Sequence, residues 1–245
     1  QIFDAFTLVG SARPELLKDA DALKQVTEQA IILSKASGDD LATSVEAVTT
    51  TLGQFQLEAS DTNRIINELA AGSKEGASEI ADTTVALQKF GTTAAITNVS
   101  TSESIALIET LADRQLKGAE AGTQLRNILA KLAGAEVIPR KGLEQLQRAG
   151  VDINILKDNT IPLIDRLREL SKIQGDTAAL TKVFGLENLS AAQIITQGVP
   201  KFEKLLTAIQ GTNEAYDQAA INADNLDTRL ENLRTKGLNA LTNAF

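Results

Sequence analysis

Apolar residues recur every three or four positions along almost the whole of this chain, in runs that open at cap-type residues and close at glycine. Leu16, Ala20, Leu23, Val26, Ala30 and Leu33 follow Pro14 and stop at Gly38. Leu41, Val45, Val48 and Leu52 follow Asp39-Asp40 and stop at Gly53. A third run goes from Ser60-Asp61 through Ile65, Ile66 and Leu69 to Gly72, and a fourth carries Ile80, Val85 and Leu87 up to Phe90-Gly91. Such spacing puts each run on one face of a helix, and the flanking residues supply its start and stop. No run alternates apolar and polar residues as a half-exposed strand would. The apolar, Thr-rich stretch from Thr92 to Val99 reads as a loop, with a strand as its alternative. The expectation is roughly nine or ten helices of two to five turns.

Composition points the same way. Hydrophobic residues make up 43% of the chain but aromatics only 3%. The core must therefore be built from Leu, Ile, Val and Ala, which suits packed helices better than sheets. Pro14, Pro139, Pro162 and Pro200 each stand just ahead of a helical run, where a missing N–H is harmless. Ser100-Thr101-Ser102-Glu103 and Ser190-Ala191-Ala192-Gln193 read as capping boxes. Under a shift of 42 residues, Ile65 aligns with Leu107, Ile66 with Ile108, Leu87 with Leu129, Lys89 with Lys131 and Phe90 with Leu132. A two-helix unit of that length is the footprint of stacked helical hairpins, although amphipathic coincidence produces matches of the same kind.

The fold class is thus all-α: a multi-helix domain of short amphipathic helices, with stacked hairpins as one arrangement and a longer C-terminal helix. Composition shifts at Gly134-Ala135-Glu136-Val137-Ile138-Pro139. This divides the chain into an N-terminal helical lobe over 1–134 and a C-terminal lobe over 135–245. The second lobe ends in an amphipathic helix carrying Leu226, Leu230, Leu233, Leu238 and Leu241. Its pattern still runs at Phe245, and Gln1-Ile2-Phe3-Asp4 lacks both an initiator Met and a signal-peptide start. Both ends read as those of an internal piece of a longer polypeptide.

Little here could perform chemistry. His, Cys, Met and Trp are all absent, which removes the usual neutral-pH base, thiolate chemistry and the commonest metal ligands. Carboxylate-only catalysis needs two acids, but among 32 acids pairs can be drawn at will. Asp39-Asp40 reads as a helix N-cap, with a catalytic or calcium-binding pair as the alternative, and Asp39→Ala is expected to weaken the fold through a lost cap. Asp152-Ile153-Asn154 lacks the rest of a calcium loop, and no phosphate loop occurs. Gly72-Ser73-Lys74-Glu75-Gly76 and Gly118-Ala119-Glu120-Ala121-Gly122 are GxxxG matches that outside a membrane read as turns. Asn98-Val99-Ser100 and Asn188-Leu189-Ser190 are chance matches to the glycosylation sequon.

Net charge is −8, with 14 acids and 7 bases in residues 1–99 against 18 acids and 17 bases in the remainder. An acidic first part argues against phosphate-directed nucleic-acid binding. Arg140, Lys141, Arg148, Lys157, Arg166, Arg168 and Lys172 are interleaved with Glu144, Asp152, Asp158, Asp165 and Glu169, and read as a solvated helix face. No stretch approaches the roughly 20 apolar residues of a membrane span. No catalytic, cofactor-binding or metal-binding residue is expected, and no cofactor.

One pair of short blocks stands out. Ala121-Gly122-Thr123-Gln124-Leu125-Arg126 opens an amphipathic run through Asn127-Ile128-Leu129-Ala130-Lys131-Leu132 to Gly134, and Lys182-Val183-Phe184-Gly185-Leu186-Glu187 follows about sixty residues later. Gly122 is expected to permit a tight turn or close helix approach, and Gln124 to lie on the polar side. With Ile105 to Ala112, Ala149-Gly150-Val151-Asp152 and Pro162-Leu163-Ile164-Asp165 in collinear order, these blocks resemble the core helical domain of tail tape measure proteins from long-tailed bacteriophages. The resemblance covers about residues 20–240.

It implies a structural virion protein of the phage or prophage tail, not an enzyme, that acts in tail assembly, length determination and genome ejection. It also implies assembly in the bacterial host cytoplasm. The partners implied are other copies of the chain and the tail tube, tail tip and tail chaperone proteins. The long heptad rod and membrane-active segments of a full tape do not occur in these 245 residues, so ruler length and membrane penetration are not assigned to this stretch. Two other readings fit the residues: a helical-repeat adaptor unrelated to phages, and a tape-like component of a contractile injection particle.

Overall fold

The computed structural model describes residues 2–134 and 137–225. It is 81% helical, with fourteen α-helices and no strand among the described residues, so the all-α fold expected from the apolar spacing is the fold observed. The first seven helices are α1 (Ile2–Ala12), α2 (Ala20–Ser37), α3 (Leu41–Phe55), α4 (Thr62–Glu75), α5 (Ile80–Ile96), α6 (Thr101–Ala112) and α7 (Gly118–Ala133). Shorter ones follow: α8 (Arg140–Arg148), α9 (Ile153–Lys157), α10 (Leu163–Leu170), α11 (Thr177–Phe184), α12 (Leu189–Gln197) and α13 (Val199–Ile209). A last helix, α14, covers 214–225. The Leu226 to Leu241 pattern lies outside the described residues.

The first half is a stack of three hairpins, α2–α3, α4–α5 and α6–α7. Helices α2, α4 and α6 pack side by side in one layer, and α3, α5 and α7 in the other. The hairpins begin at residues 20, 62 and 101, which matches the repeat length in the sequence. Residues aligned by the shift are buried in both copies: Ile65 and Leu107, Ile66 and Ile108, Leu87 and Leu129, Phe90 and Leu132. Helix α13 lies against α4 and α6, and α12 against α6 and α7. One hydrophobic cluster runs from Val9 to Ala215 through both halves.

Several local expectations change. Glycine stops fewer helices than its placement suggests: α3 runs past Gly53 to Phe55, α4 past Gly72 to Glu75, and α5 past Gly91 to Ile96. Thr92 to Ile96 is therefore helix, neither loop nor strand. Gly72 and Gly91 mark close approaches, since a Cβ on Gly72 would run into Ile105, and one on Gly91 would stand 2.7 Å from Gln54 Cβ. Backbone proximity is an alternative use of glycine that sequence spacing does not separate from a helix stop.

Caps are partly as expected. Ser100 and Glu103 form their capping box. At the start of α3, Asp40 accepts from the Thr43 N–H at 2.8 Å, whereas Asp39 takes part through its backbone, its N–H donating to Ser37 Oγ and its carbonyl accepting from Ser34 Oγ. The cap role assigned to Asp39 thus belongs to Asp40. Ser190 does not head a capping box, because α12 begins at Leu189 and Asn188 is its N-cap. The supposedly solvated basic zone includes one exception, Arg166, which is 1% exposed.

Candidate functional site

Helix α7 joins the two sequence blocks. AGTQLR lies inside it rather than at its start, and its two sides meet different partners. Ala121, Gly122, Leu125, Ile128, Leu129 and Leu132 are buried, at the three-and-four spacing of one stripe. Gly122 presses against α5, where an added Cβ would overlap the Ala86 carbonyl and reach within 2.8 Å of Ala86 Cα. Close approach, not a turn, is what this glycine provides.

The adjacent side carries Gln124, Asn127 and Lys131, again three and four apart, and all three reach the stretch from the end of α11 to the first turn of α12. Lys131 Nζ donates to the Phe184 carbonyl at 2.7 Å, and Asn127 Nδ2 to Asn188 Oδ1 at 2.9 Å. Gln124 Oε1 accepts from the Ala191 N–H at 3.1 Å. Asn188 is itself buried and donates to the Phe184 carbonyl at 2.7 Å and to Glu187 Oε1 at 3.0 Å.

The logic is that of helix ends. Phe184 closes α11, so its carbonyl has no partner within the helix, and a cation there also meets the negative end of the dipole. Ala191 sits in the first turn of α12, where the N–H groups need outside acceptors. One polar stripe of α7 thus satisfies both helix ends around the Phe184-Gly185-Leu186-Glu187-Asn188 turn. Gln124, expected on the polar side, is only 7% exposed. Beside it is a cleft of about 400 Å³ lined by Ala119, Glu120, Thr123, Gln124, Asn127, Glu187 and Asn188. These side chains are amides, a hydroxyl, carboxylates and small groups. They form a polar clamp between helices, with no activated nucleophile.

Two further polar centres lie on α4 and α6. Glu109 on α6 is fully buried; one carboxylate oxygen accepts from the N–H groups of Ala77 and Ser78 at 2.8 and 2.9 Å. The other accepts from Ser78 Oγ, and from Thr83 Oγ1 at 3.2 Å. Burial pushes its pKa up, against the lowering effect of these donors. Glu68 on α4 is bound by Thr101 Oγ1 and by Arg64 at 3.0 Å, and burial raises its pKa as well. Shifted acids collect at active sites, but each of these is held by fixed donors that close a turn or join two helices.

Sequence reasoning missed both, together with Arg166, whose Nε donates to the Leu156 carbonyl at 2.8 Å at the end of α9. Glu109 carries a faint signal, since it stands four residues after Ile105 and three before Ala112 on the same apolar stripe. Among the described residues no group of three or more His, Cys, Asp or Glu could hold a metal ion. Among the same residues no helix is long and apolar enough to cross a membrane.

Comparison with known proteins places this architecture. The family described as phage-related minor tail protein matches residues 1–224. The tape measure protein of Pneumococcus phage Dp-1 is 28% identical over 213 residues, an alignment covering 82% of this chain and 18% of that protein. The chain therefore spans less than a fifth of that relative's length. No solved structure matches. The resemblance read from AGTQLR, the blocks around it and their order is thereby borne out, and the adaptor unrelated to phages is set aside. With the match running over all but the last described residue, the chain belongs to the phage-related minor tail protein family.

Proposed function

We propose that this chain works as a folded structural segment of a phage tail tape measure protein, without catalysis. The whole tape measure protein acts in tail assembly in the host cytoplasm, in length determination and in genome delivery. The observation that carries the reading is the alignment with a tape measure protein over 82% of the chain. Its partners are other copies of the chain and the tail tube, tail tip and tail chaperone proteins. The lobes over 1–134 and 135–245 serve as its two halves, the first presenting the hairpin stack.

Within that role the segment docks rather than measures. As one unbroken helix, 245 residues would span on the order of 370 Å. Folded, the chain returns on itself so that Tyr216 reaches Gln29, and a compact domain of this size has a radius of gyration of about 18 Å. A ruler of useful length must then lie in other sequence. Small in-frame deletions inside Leu41–Leu132 should abolish tail assembly or infectivity, as scored by electron microscopy and plaque counts. Deletions in rod-like sequence outside these residues should shorten tails. Viable particles with tails shortened in proportion to residues removed from Leu41–Leu132 would overturn the docking role.

A further inference from the structure

Helix α14 is attached unlike the rest of the fold. After α13 ends at Ile209, Gly211 adopts a φ of 67° and the chain turns back. The helix over 214–225 then lies on α2 and α4, far away in sequence. Glu214 pairs with Lys74 at 2.6 Å, and the Ala215 N–H donates to Asn67 Oδ1 at 3.0 Å. The Tyr216 hydroxyl donates to Gln29 Oε1 at 2.8 Å and accepts from Asn63 Nδ2 at 2.7 Å. Asn222 Nδ2 reaches the carbonyls of Lys35 and Ala36, each at 2.9 Å.

Beside these polar contacts the apolar burial is small, limited to Ala215 in the core cluster with Tyr216 and Ala219 packed against it. Residues 220–225 are exposed. Helix α13 next to it buries Val199, Phe202, Leu205 and Ile209. A cavity of about 250 Å³ lies beneath the connecting turn, lined by Asn63, Arg64, Asn67, Glu68, Ile209, Gly211 and Thr212. Water replaces polar contacts at little net loss, whereas apolar burial has no such substitute. Elements with few buried apolar contacts open below the free energy of global unfolding.

We infer that α14 is a strap that undocks as one unit about Gly211 while the hairpin stack stays folded, uncovering a polar groove on α2 and α4. The groove consists of Gln29, Asn63, Asn67, Lys74 and the carbonyls of Lys35 and Ala36. Closed, the strap ties the end of the described chain to its first two hairpins. Open, it leaves those hairpins intact and their polar edge free.

The sequence supplies its own reporter. Tyr216 is the only tyrosine and there is no tryptophan, so tyrosine fluorescence reads strap docking alone, while far-ultraviolet ellipticity reads all helices. In a urea titration of the 245-residue chain, the Tyr216 transition should fall at lower urea than the helical one. Asn222→Ala should move the first transition downward and leave the second in place. Amides of 216–225 should exchange with deuterium at least about tenfold faster than those of α6. Coincident transitions, with Asn222→Ala shifting both equally or preventing folding, would overturn the inference. So would strap amides that exchange only as fast as global unfolding allows.

Discussion

Gly122 and Ala86 bring α7 and α5 together backbone against backbone: a Cβ on Gly122 would overlap the Ala86 carbonyl oxygen and stand 2.9 Å from Lys89 Cβ. A carbonyl inside a helix cannot step aside without breaking its own hydrogen bond. Gly122→Ala should therefore destabilise the protein by about 1–3 kcal/mol, and Gly122→Val by more. Gly53 is the control, because its added Cβ meets nothing nearer than Arg13 Nη1 at 3.6 Å. Gly53→Ala should gain up to about 1 kcal/mol from helix propensity. A urea midpoint for Gly122→Ala that stays in place or rises, as that of Gly53→Ala should, would show that the α5–α7 contact has room for a methyl group.

Gln124 should prove as sensitive as its burial implies. Truncation leaves the Ala191 N–H without an acceptor inside the protein, a loss of about 1–3 kcal/mol. Gln193, the residue that a local capping box would have required, donates to Thr177 Oγ1 at 3.3 Å on the surface. Gln193→Ala should change stability by less than about 0.5 kcal/mol. The reverse ranking in thermal or urea melts would return the α12 cap to its own sequence.

Glu109 carries a pH dependence with a definite sign. Its pKa is raised above the ordinary 4.5 by burial, so the folded state holds the proton more tightly than the unfolded chain. Stability from this group is greatest below 4.5 and is lost as pH rises through the folded value. Glu68 contributes with the same sign, while Asp40 and Asp158, whose pKa values are lowered by hydrogen bonds, lose stability as pH falls through theirs. In Glu109→Gln the amide oxygen can keep the N–H groups of Ala77 and Ser78, and the amide nitrogen can donate to Ser78 and Thr83 once their hydroxyls rotate. That variant should match the parent within about 1 kcal/mol at neutral pH, with a flatter dependence of stability on pH. Glu109→Leu should lose about 2 kcal/mol or more, since two buried N–H groups are orphaned. An unchanged pH slope in Glu109→Gln would show that Glu109 is not the group responsible.

What the sequence showed, and what it hid, divides by the range of the interaction. Helix type and position rest on spacing within a dozen residues, so α2 to α7 were legible from Ala20 to Leu132, although Leu16, read as part of the first run, lies in a separate 3-10 turn over Pro14–Lys18 and Asp19 caps α2. The count was not, because after Gly134 the chain breaks into pieces as short as α9, five residues long, too short for a periodic stripe. Gly72 and Gly91 were misplaced for a different reason, and the two uses offered for Gly122 stayed unseparated for the same one: each faces a partner on another helix, and local pattern carries no record of it. The roles of Gln124 and Glu109 likewise depend on N–H groups remote in sequence, and that of Arg166 on the Leu156 carbonyl in the preceding helix, which periodicity does not register. Asp39 and Asp40 differ by one residue of register, below what composition resolves. The AGTQLR and FGLE blocks were conspicuous in the sequence, yet nothing local says that they touch.

The bond between the residues that directly follow the two blocks, Asn127 and Asn188, can be measured directly. Asn127 Nδ2 donates to Asn188 Oδ1 at 2.9 Å, and Asn188 is buried, with its own amide nitrogen held by the Phe184 carbonyl. Asn188 is thus fixed in place before Asn127 reaches it, and the pair spends little ordering entropy on the bond. Asn127→Ala should lose about 0.5–1.5 kcal/mol, the net worth of one such hydrogen bond. Asn188→Ala should lose more, because it also removes the bond from the Asn188 amide to the Phe184 carbonyl and leaves only Lys131 there. If the two act through their shared bond, the double variant will be less destabilised than the sum, with a coupling of about 0.5–1.5 kcal/mol. Arg126, exposed on the same helix, supplies the reference: Arg126→Ala combined with Asn188→Ala should be additive within about 0.5 kcal/mol. Additivity of Asn127→Ala with Asn188→Ala would mean that the two blocks lie side by side without holding each other.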